Sequence, residues 1–467
     1  MSAAQNGQYP YHLMKLVGQR LRQRGLKAPS DAVLLRLFET LFFASLQTDE
    51  GRPCRCTLNY IDRDELVQQS GRTGRGAWNA IPFARPFPLD VRTLTKLAEA
   101  ADATVASLAV TSDAGGDLLI WGLVDQELRY ADYVALDSVQ EPQRPGLFQA
   151  TIAGMGNVCV SKDYALLGSL EQNALVDQYH DVLWSGPIHE TLKGHLRETL
   201  TEHSGAAGGR AATDIQCVED ELLIRWQNAI CRILLNIQQY RHGGGLLVVP
   251  RFPAPDLNIK YQMVYDRLPQ SLVRLVQQQL RTRQNAQDIA AYCEGGKVGA
   301  VPTELHRNSV GNHARLQDRR NEQLGCVRFI ASLSQVDGCV VLDKSLVVHG
   351  FGAELTADSD LTDFSIAGDP QATPRQLRPG SLSQFGTRHR AMMRYCFANP
   401  GSVGFVVSQD GDIRAMARLA GRLVLWENID VQLAFKAENA SERMRHFEPA
   451  TSLAQSWASW FAVSKSA

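Results

Sequence analysis

The chain has 467 residues, 44% hydrophobic and 21% charged, with 48 Lys and Arg against 49 Asp and Glu for a net charge of −1. Such a composition is globular rather than disordered, and the length suits two domains better than one core. The charge balance excludes a surface built to coat nucleic acid or an anionic membrane, so neither is expected as a partner; a local basic pocket for phosphates stays open.

No run of about 18 or more apolar residues is present, and Met1 to Tyr11 is polar without the apolar core of a secretion signal. A cytoplasmic protein is the expectation. Nine cysteines at irregular spacing fit reduced thiols better than a disulfide framework. The nearest pair, Cys54 and Cys56, has no second pair at zinc-finger spacing.

Two helices open the chain, marked by Leu13, Leu16, Val17 and Leu21 and then by Val33, Leu34, Leu37, Leu41 and Leu46. A Gly- and Arg-rich segment, Gly71 to Gly76, lacks P-loop spacing and reads as a surface loop. Val105 to Thr111 and Leu118 to Val124 flank Asp113-Ala114-Gly115-Gly116, a hairpin signal, and Asn157 to Val160 reads as a further strand. Leu166, Leu170, Leu175 and Val176 follow helical spacing. Residues 1–203 are therefore expected to form an α+β domain, and no catalytic constellation lies in it.

Small flexible residues from Ser204 to Ala212 mark a linker, 204–213. Beyond it, Ile215, Val218, Leu222, Trp226, Ile230, Ile233, Leu234 and Ile237 form the stripe of a long helix that Thr213 or Asp214 can cap. Gly243-Gly244-Gly245 leads into a buried strand, Leu246 to Val249. Helices are expected over Tyr265 to Leu280 and Asp318 to Gln335, with a polar loop from Gly295 to Arg315 between them. Strands follow at Cys339 to Leu342 and Ser345 to Val348. A Pro-containing loop leads to Gly386, then a helix Arg390 to Phe397, and strands at Val403 to Val407, Ile413 to Ala417 and Leu423 to Trp426. Residues 214–432 thus read as an α/β domain with helices around a mixed sheet. The tail, 433–467, carries Trp457, Trp460 and Phe461 at the spacing of a short helix.

Three segments of the second half carry chemistry. Gly386-Thr387-Arg388-His389-Arg390 sets two arginines and a histidine at a helix start, where free N–H groups already favour an anion and arginine can grip phosphate with two donors. Asp337, next to Gly338 and Cys339, is a natural ligand for a hard cation that also binds nucleotide phosphates. Ser408-Gln409-Asp410 lies at a strand end.

In this order, the three segments resemble the diadenylate cyclase domain, the catalytic module of bacterial cyclic di-AMP synthases such as the DNA-integrity scanning protein. That family carries Asp-Gly-Ala before a strand, then Gly-Thr-Arg-His-Arg, then a Ser-Glu or Ser-Gln turn. The resemblance covers about Asp220 to Asp430, less than half of the chain, and the preceding half takes the place of a sensor or regulatory domain.

It implies a nucleotidyltransferase. Two ATP-loaded subunits face each other, and each 3′-hydroxyl attacks the other nucleotide's α-phosphorus to give cyclic di-AMP and pyrophosphate. By position, Asp337 would hold Mg²⁺ or Mn²⁺ and activate the hydroxyl. Thr387, Arg388, His389 and Arg390 would bind phosphates, while Gly338, Cys339, Gly386, Ser408 and Gln409 would contribute to the nucleotide site. A homodimer or higher oligomer is implied as a partner of the reaction. Cys339 stands where the family has Ala, and Gln409 where some members have a Glu, with Asp410 able to take its place at the metal. Leu257 to Gly325 looks like an insertion. The alternative is an inactive module of the same type that senses ATP or a cyclic dinucleotide.

Overall fold

A computed structural model describes residues 7–27, 29–61, 79–102, 105–113, 115–125, 148–162, 165–171, 173–176, 180–204, 212–240, 242–294, 302–409, 411–429 and 431. They fall into two compact units, one within Met1–Tyr179 and one within His180–Val431. The segment Gly71 to Gly76, Asp410 and the tail from Gln432 lie outside the described residues.

In the first unit, helices α1 (Pro10–Gln23) and α2 (Asp31–Ser45) come where the apolar spacing puts them, and Ser30 caps α2 by accepting from the Val33 amide at 3.3 Å. After the short pair β1 (Thr48–Asp49) and β2 (Arg52–Pro53) come β3 (Thr57–Tyr60), β4 (Asn79–Pro88), helix α3 (Val91–Ala98), β5 (Ala106–Ser112), β6 (Leu118–Asp125), β7 (Phe148–Gly154), β8 (Asn157–Lys162), β9 (Ala165–Glu171) and β10 (Ala174–Val176). Eight of these make one sheet in the order β10-β9-β8-β7-β3-β5-β6-β4. Leu13, Val17 and Leu21 of α1 and Leu34, Leu37 and Leu41 of α2 are buried in a common core with Leu58, Val110, Ile120 and Val160 of the sheet.

The β5–β6 hairpin is held by Asp113, whose Oδ1 accepts from the Gly115 and Asp117 amides at 2.9 and 2.8 Å. The expected helix through Leu166, Leu170, Leu175 and Val176 is not formed; these residues lie in β9 and β10, paired antiparallel. A spacing of four serves a strand face as well as a helix face, so Leu166 and Leu170 could not decide between the two periods.

The second unit begins with helices α4 (Gly186–Ser204) and α5 (Ala212–Tyr240). The compact division at Tyr179/His180 places α4 with this unit, ahead of the Gly- and Ala-rich stretch. Because α5 already starts at Ala212, Thr213 and Asp214 occupy its first turn rather than its cap. Next come β11 (Gly244–Val249), β12 (Leu257–Tyr265), α6 (Arg267–Glu294), α7 (Thr303–Leu333), β13 (Cys339–Asp343), β14 (Val348–Leu355), β15 (Asp363–Ala367), β16 (Leu377–Ser381), α8 (Thr387–Ala398), β17 (Val403–Val407), β18 (Ile413–Leu419) and β19 (Arg422–Trp426). The nine strands form a mixed sheet, β12-β14-β13-β11-β17-β18-β19-β15-β16, with β11 parallel to β13 and β15 parallel to β19.

Several expectations need correction. The polar loop expected up to Arg315 is helical from Thr303 onward, because the first turns of α7 are largely solvent-facing and carry no apolar stripe to read. Tyr265 ends β12 instead of opening a helix. Ser345 to Val347 form a turn rather than a strand: Asp343 Oδ1 accepts from the Ser345 and Val347 amides at 2.7 and 3.1 Å, and the strand starts at Val348. β12, β15 and β16 were not anticipated; β16 carries Pro379 and sits at the sheet edge, where a missing N–H is tolerated. Among the described residues no helix is long and apolar enough to cross a membrane, and Cys54, Cys56, Cys159, Cys231, Cys293, Cys326, Cys339 and Cys396 are free thiols.

Candidate functional site

Strand register brings the three chemical segments to one end of the second unit's sheet. Cys339 of β13 lies opposite Gly245 of β11, and Gly244 lies opposite Val407 of β17. The residues just before β11, just before β13 and just after β17 therefore share an edge. The helix α8 packs on one face of these strands, burying Met392, Met393, Tyr395 and Cys396 against Leu247, Val341 and Val406. Its first turn points to the same edge.

At that edge Arg388 Nη2 lies 3.4 Å from Asp337 Oδ1. The Asp337 side chain is 93% exposed, so its remaining coordination positions are open. Gly243, at φ +70°, completes the junction: a methyl group there would stand 2.9 Å from Arg388 Nη1, 3.1 Å from the Val407 carbonyl and 3.4 Å from the Gln409 amide nitrogen. Asp337, Arg388 and the start of the Ser408 turn thus meet around a position that only glycine fills. Gly338, at φ +111°, is pressed against β14, where a Cβ would lie 2.6 Å from the Gly352 carbonyl carbon. That contact fixes the backbone carrying Asp337.

The helix start has Gly386 as its cap residue with no side-chain cap bond. Thr387 and Arg390 are exposed. His389 is different. Its Nε2 is 3.1 Å from Arg414 Nη1, and its ring stands 5.8 Å from that of Phe385. Burial pushes its imidazole down to about 4, and Arg414 and Arg388 add to the shift while Asp412 opposes it. The histidine is therefore neutral, and the segment's charge resides in its arginines.

Ser408 is committed to its own turn, its Oγ accepting from the Asp412 amide at 3.0 Å. Gln409 is exposed. Cys339 is 3% exposed within the apolar core, and burial pushes its thiol up to about 12. Among the described residues no group of three or more His, Cys, Asp or Glu could hold a metal ion. A lone open carboxylate next to an arginine suits a cation that a nucleotide's phosphates help to bind, as hard divalent ions commonly are.

Residues 23–125 match a family described as "Probable sensor domain DACNV". The match runs from the last residue of α1 to the last residue of β6, within the first unit. The first unit is accordingly similar to a sensor domain over this span. Neither the curated proteins nor the solved structures hold a match to the chain.

Sequence reading passed over Arg414. Its signal was present: an arginine inside Ile413-Arg414-Ala415-Met416-Ala417, an otherwise apolar strand, has to be satisfied by something specific. Gly243 was noted only as part of a glycine run, since a positive φ and a close approach are not legible from composition.

Proposed function

We propose that the second unit is a diadenylate cyclase, which condenses two ATP into cyclic di-AMP and two pyrophosphates across a face-to-face pair of subunits, and that the first unit senses the signal that controls it. One observation carries the reading: Asp337 and Arg388, 51 residues apart in sequence, form an ion pair at a junction shared with Gly243 and Gln409. The match at residues 23–125 supports it from the other end of the chain, as that domain is linked to diadenylate cyclase-associated sensing.

On this reading Arg388 and Arg390, with the uncapped amides of α8, hold the triphosphate and balance charge as it builds at the α-phosphorus. Asp337 orients the 3′-hydroxyl and takes up its proton as the new P–O bond forms and pyrophosphate leaves. Mg²⁺ or Mn²⁺, held by Asp337 and the phosphates, would supply further charge neutralisation. A single subunit holds one ATP and cannot close the ring, so the rate per subunit should rise with protein concentration.

The test is incubation of the full chain with ATP and Mg²⁺ or Mn²⁺, with products read by mass spectrometry. Cyclic di-AMP from the natural chain, lost in an Asp337→Asn variant that still binds ATP, is the expected result. ATP binding without product under either metal would overturn catalysis and leave a nucleotide-sensing module. No ATP binding at all would overturn both.

A further inference from the structure

We propose that Arg414 is a positioning residue of this site: it holds His389 at Nε2, so the imidazole works as a neutral ring whose proton sits on Nδ1. The geometry requires the tautomer. A guanidinium has donors only and stays protonated, so at 3.1 Å from Arg414 Nη1 the histidine Nε2 must be the acceptor. The one ring proton is then on Nδ1.

Arg414 is well anchored for this task. Its Nη2 donates to Asp412 Oδ2 at 3.1 Å, its Nε lies 3.7 Å from Glu427 Oε1, and its guanidinium stands 5.8 Å from the centre of the Phe385 ring. Glu427 is held from its other side by Arg378 at 2.6 Å. The Arg414 side chain is 18% exposed, so little solvent screens it. The charged groups facing His389 are thus Arg388 on its own helix, Arg414 on β18, Asp412 just before β18 and Glu427 just after β19. Two guanidiniums and burial oppose a proton on Nε2; Asp412 favours one but is already engaged by Arg414.

The consequence changes the roles inside Gly386 to Arg390. Positive charge comes from Arg388, Arg390 and Arg414, and His389 contributes a directed N–H donor whose state does not vary across neutral pH. That this donor serves a phosphate rests on the cyclase reading; the tautomer and its dependence on Arg414 do not.

The experiment uses the full chain labelled with ¹⁵N at its histidine rings, the His389 signals being assigned by their loss in His389→Gln. The natural chain should show a neutral ring with Nδ1 protonated and no titration between pH 8 and 5. Arg414→Met should release it, so that the ring titrates at a higher pH than in the natural chain, moved toward the ordinary value of about 6.5 but held below it by burial and Arg388, which remain. Arg414→Lys, which keeps a donor, should restore the neutral state at least in part and serves as the test if the Met variant does not fold.

Titration of the natural His389 near 6.5, or a proton on Nε2, would overturn the proposal, as would an Arg414→Met ring unchanged from the natural one. In the same variants, kcat for cyclic di-AMP should fall by about tenfold for Arg414→Met once the pH drops below the point at which its released ring titrates, with KM for ATP little changed. Absence of product from the natural chain together with the expected spectra would sink the cyclase reading and leave the positioning role standing.

Discussion

Arg388 reaches from the first turn of α8 to Asp337 on the loop before β13, Nη2 to Oδ1 at 3.4 Å, and so ties two of the three chemical segments together. With Asp337 93% exposed, the pair contributes little to folding; exposed ion pairs give about 0–1 kcal/mol. On the cyclase reading, its value lies in holding a cation beside a carboxylate at the end of the sheet where the nucleotide would bind. Arg388→Met should therefore leave the melting temperature within a degree or two and reduce cyclic di-AMP formation about 100-fold or more. A variant as active as the natural chain would remove Arg388 from the site.

Gly243 and Gly338 should respond differently to alanine. At Gly338 the added Cβ would meet the β14 backbone at 2.6 Å in a left-handed conformation, and neither side can yield. Gly338→Ala should cost about 1–3 kcal/mol or more, seen in denaturant melts. At Gly243, also at a positive φ that strains any side chain, the nearest atom is the end of the flexible Arg388 side chain, 2.9 Å away, rather than backbone. Gly243→Ala should displace that side chain and impair ATP binding more than its effect on stability accounts for. Equal stability losses with unchanged ATP affinity would contradict the junction.

What was legible in the sequence follows from burial. Leu246 to Val249 and Val403 to Val407 are buried on both faces, and unbroken apolar runs announced them. The site segments were legible because Gly-Thr-Arg-His-Arg concentrates unusual chemistry at a helix start. The polar half of α7, the half-exposed β12 and the Pro-containing β16 were not, since each draws its stability from a partner element rather than from its own periodicity. The protonation state of His389 was illegible for the same reason: Arg414, which sets it, comes 25 residues later and meets it only through the packing of α8 on β18.

Cys339 stands where the resembled family carries alanine, and its environment predicts inertness. It is 3% exposed and burial pushes the thiol up to about 12; Cys396 beside it is pushed up as well, by burial first and then by Cys339. Thiol labelling of the folded chain at pH 8 should modify exposed Cys293 readily and spare both buried cysteines. Cys339→Ala should cost about 1 kcal/mol and keep activity. Rapid modification of Cys339 in the native state would show that it is reachable from solvent.

Acid should weaken the second unit before its carboxylates are protonated. His389 falls to about 4 in the folded chain against an ordinary value of 6.5, mainly through burial, and His195 is lowered by burial as well. Each takes up a proton more readily when unfolded, so its cost is absent above about pH 6.5 and grows as the pH falls from there toward the folded value. Glu322 is lowered because hydrogen bonds from Arg319 and the charge of Arg274 outweigh its burial, and its contribution is lost only below its ordinary 4.5. Glu219, raised by burial, works in the opposite direction to the histidines. Denaturant melts between pH 7.5 and 5 should thus show falling stability, and His389→Gln should flatten that slope. A slope of the same size in His389→Gln would mean that His389 already carries its proton in the folded chain, against the bond it makes to Arg414.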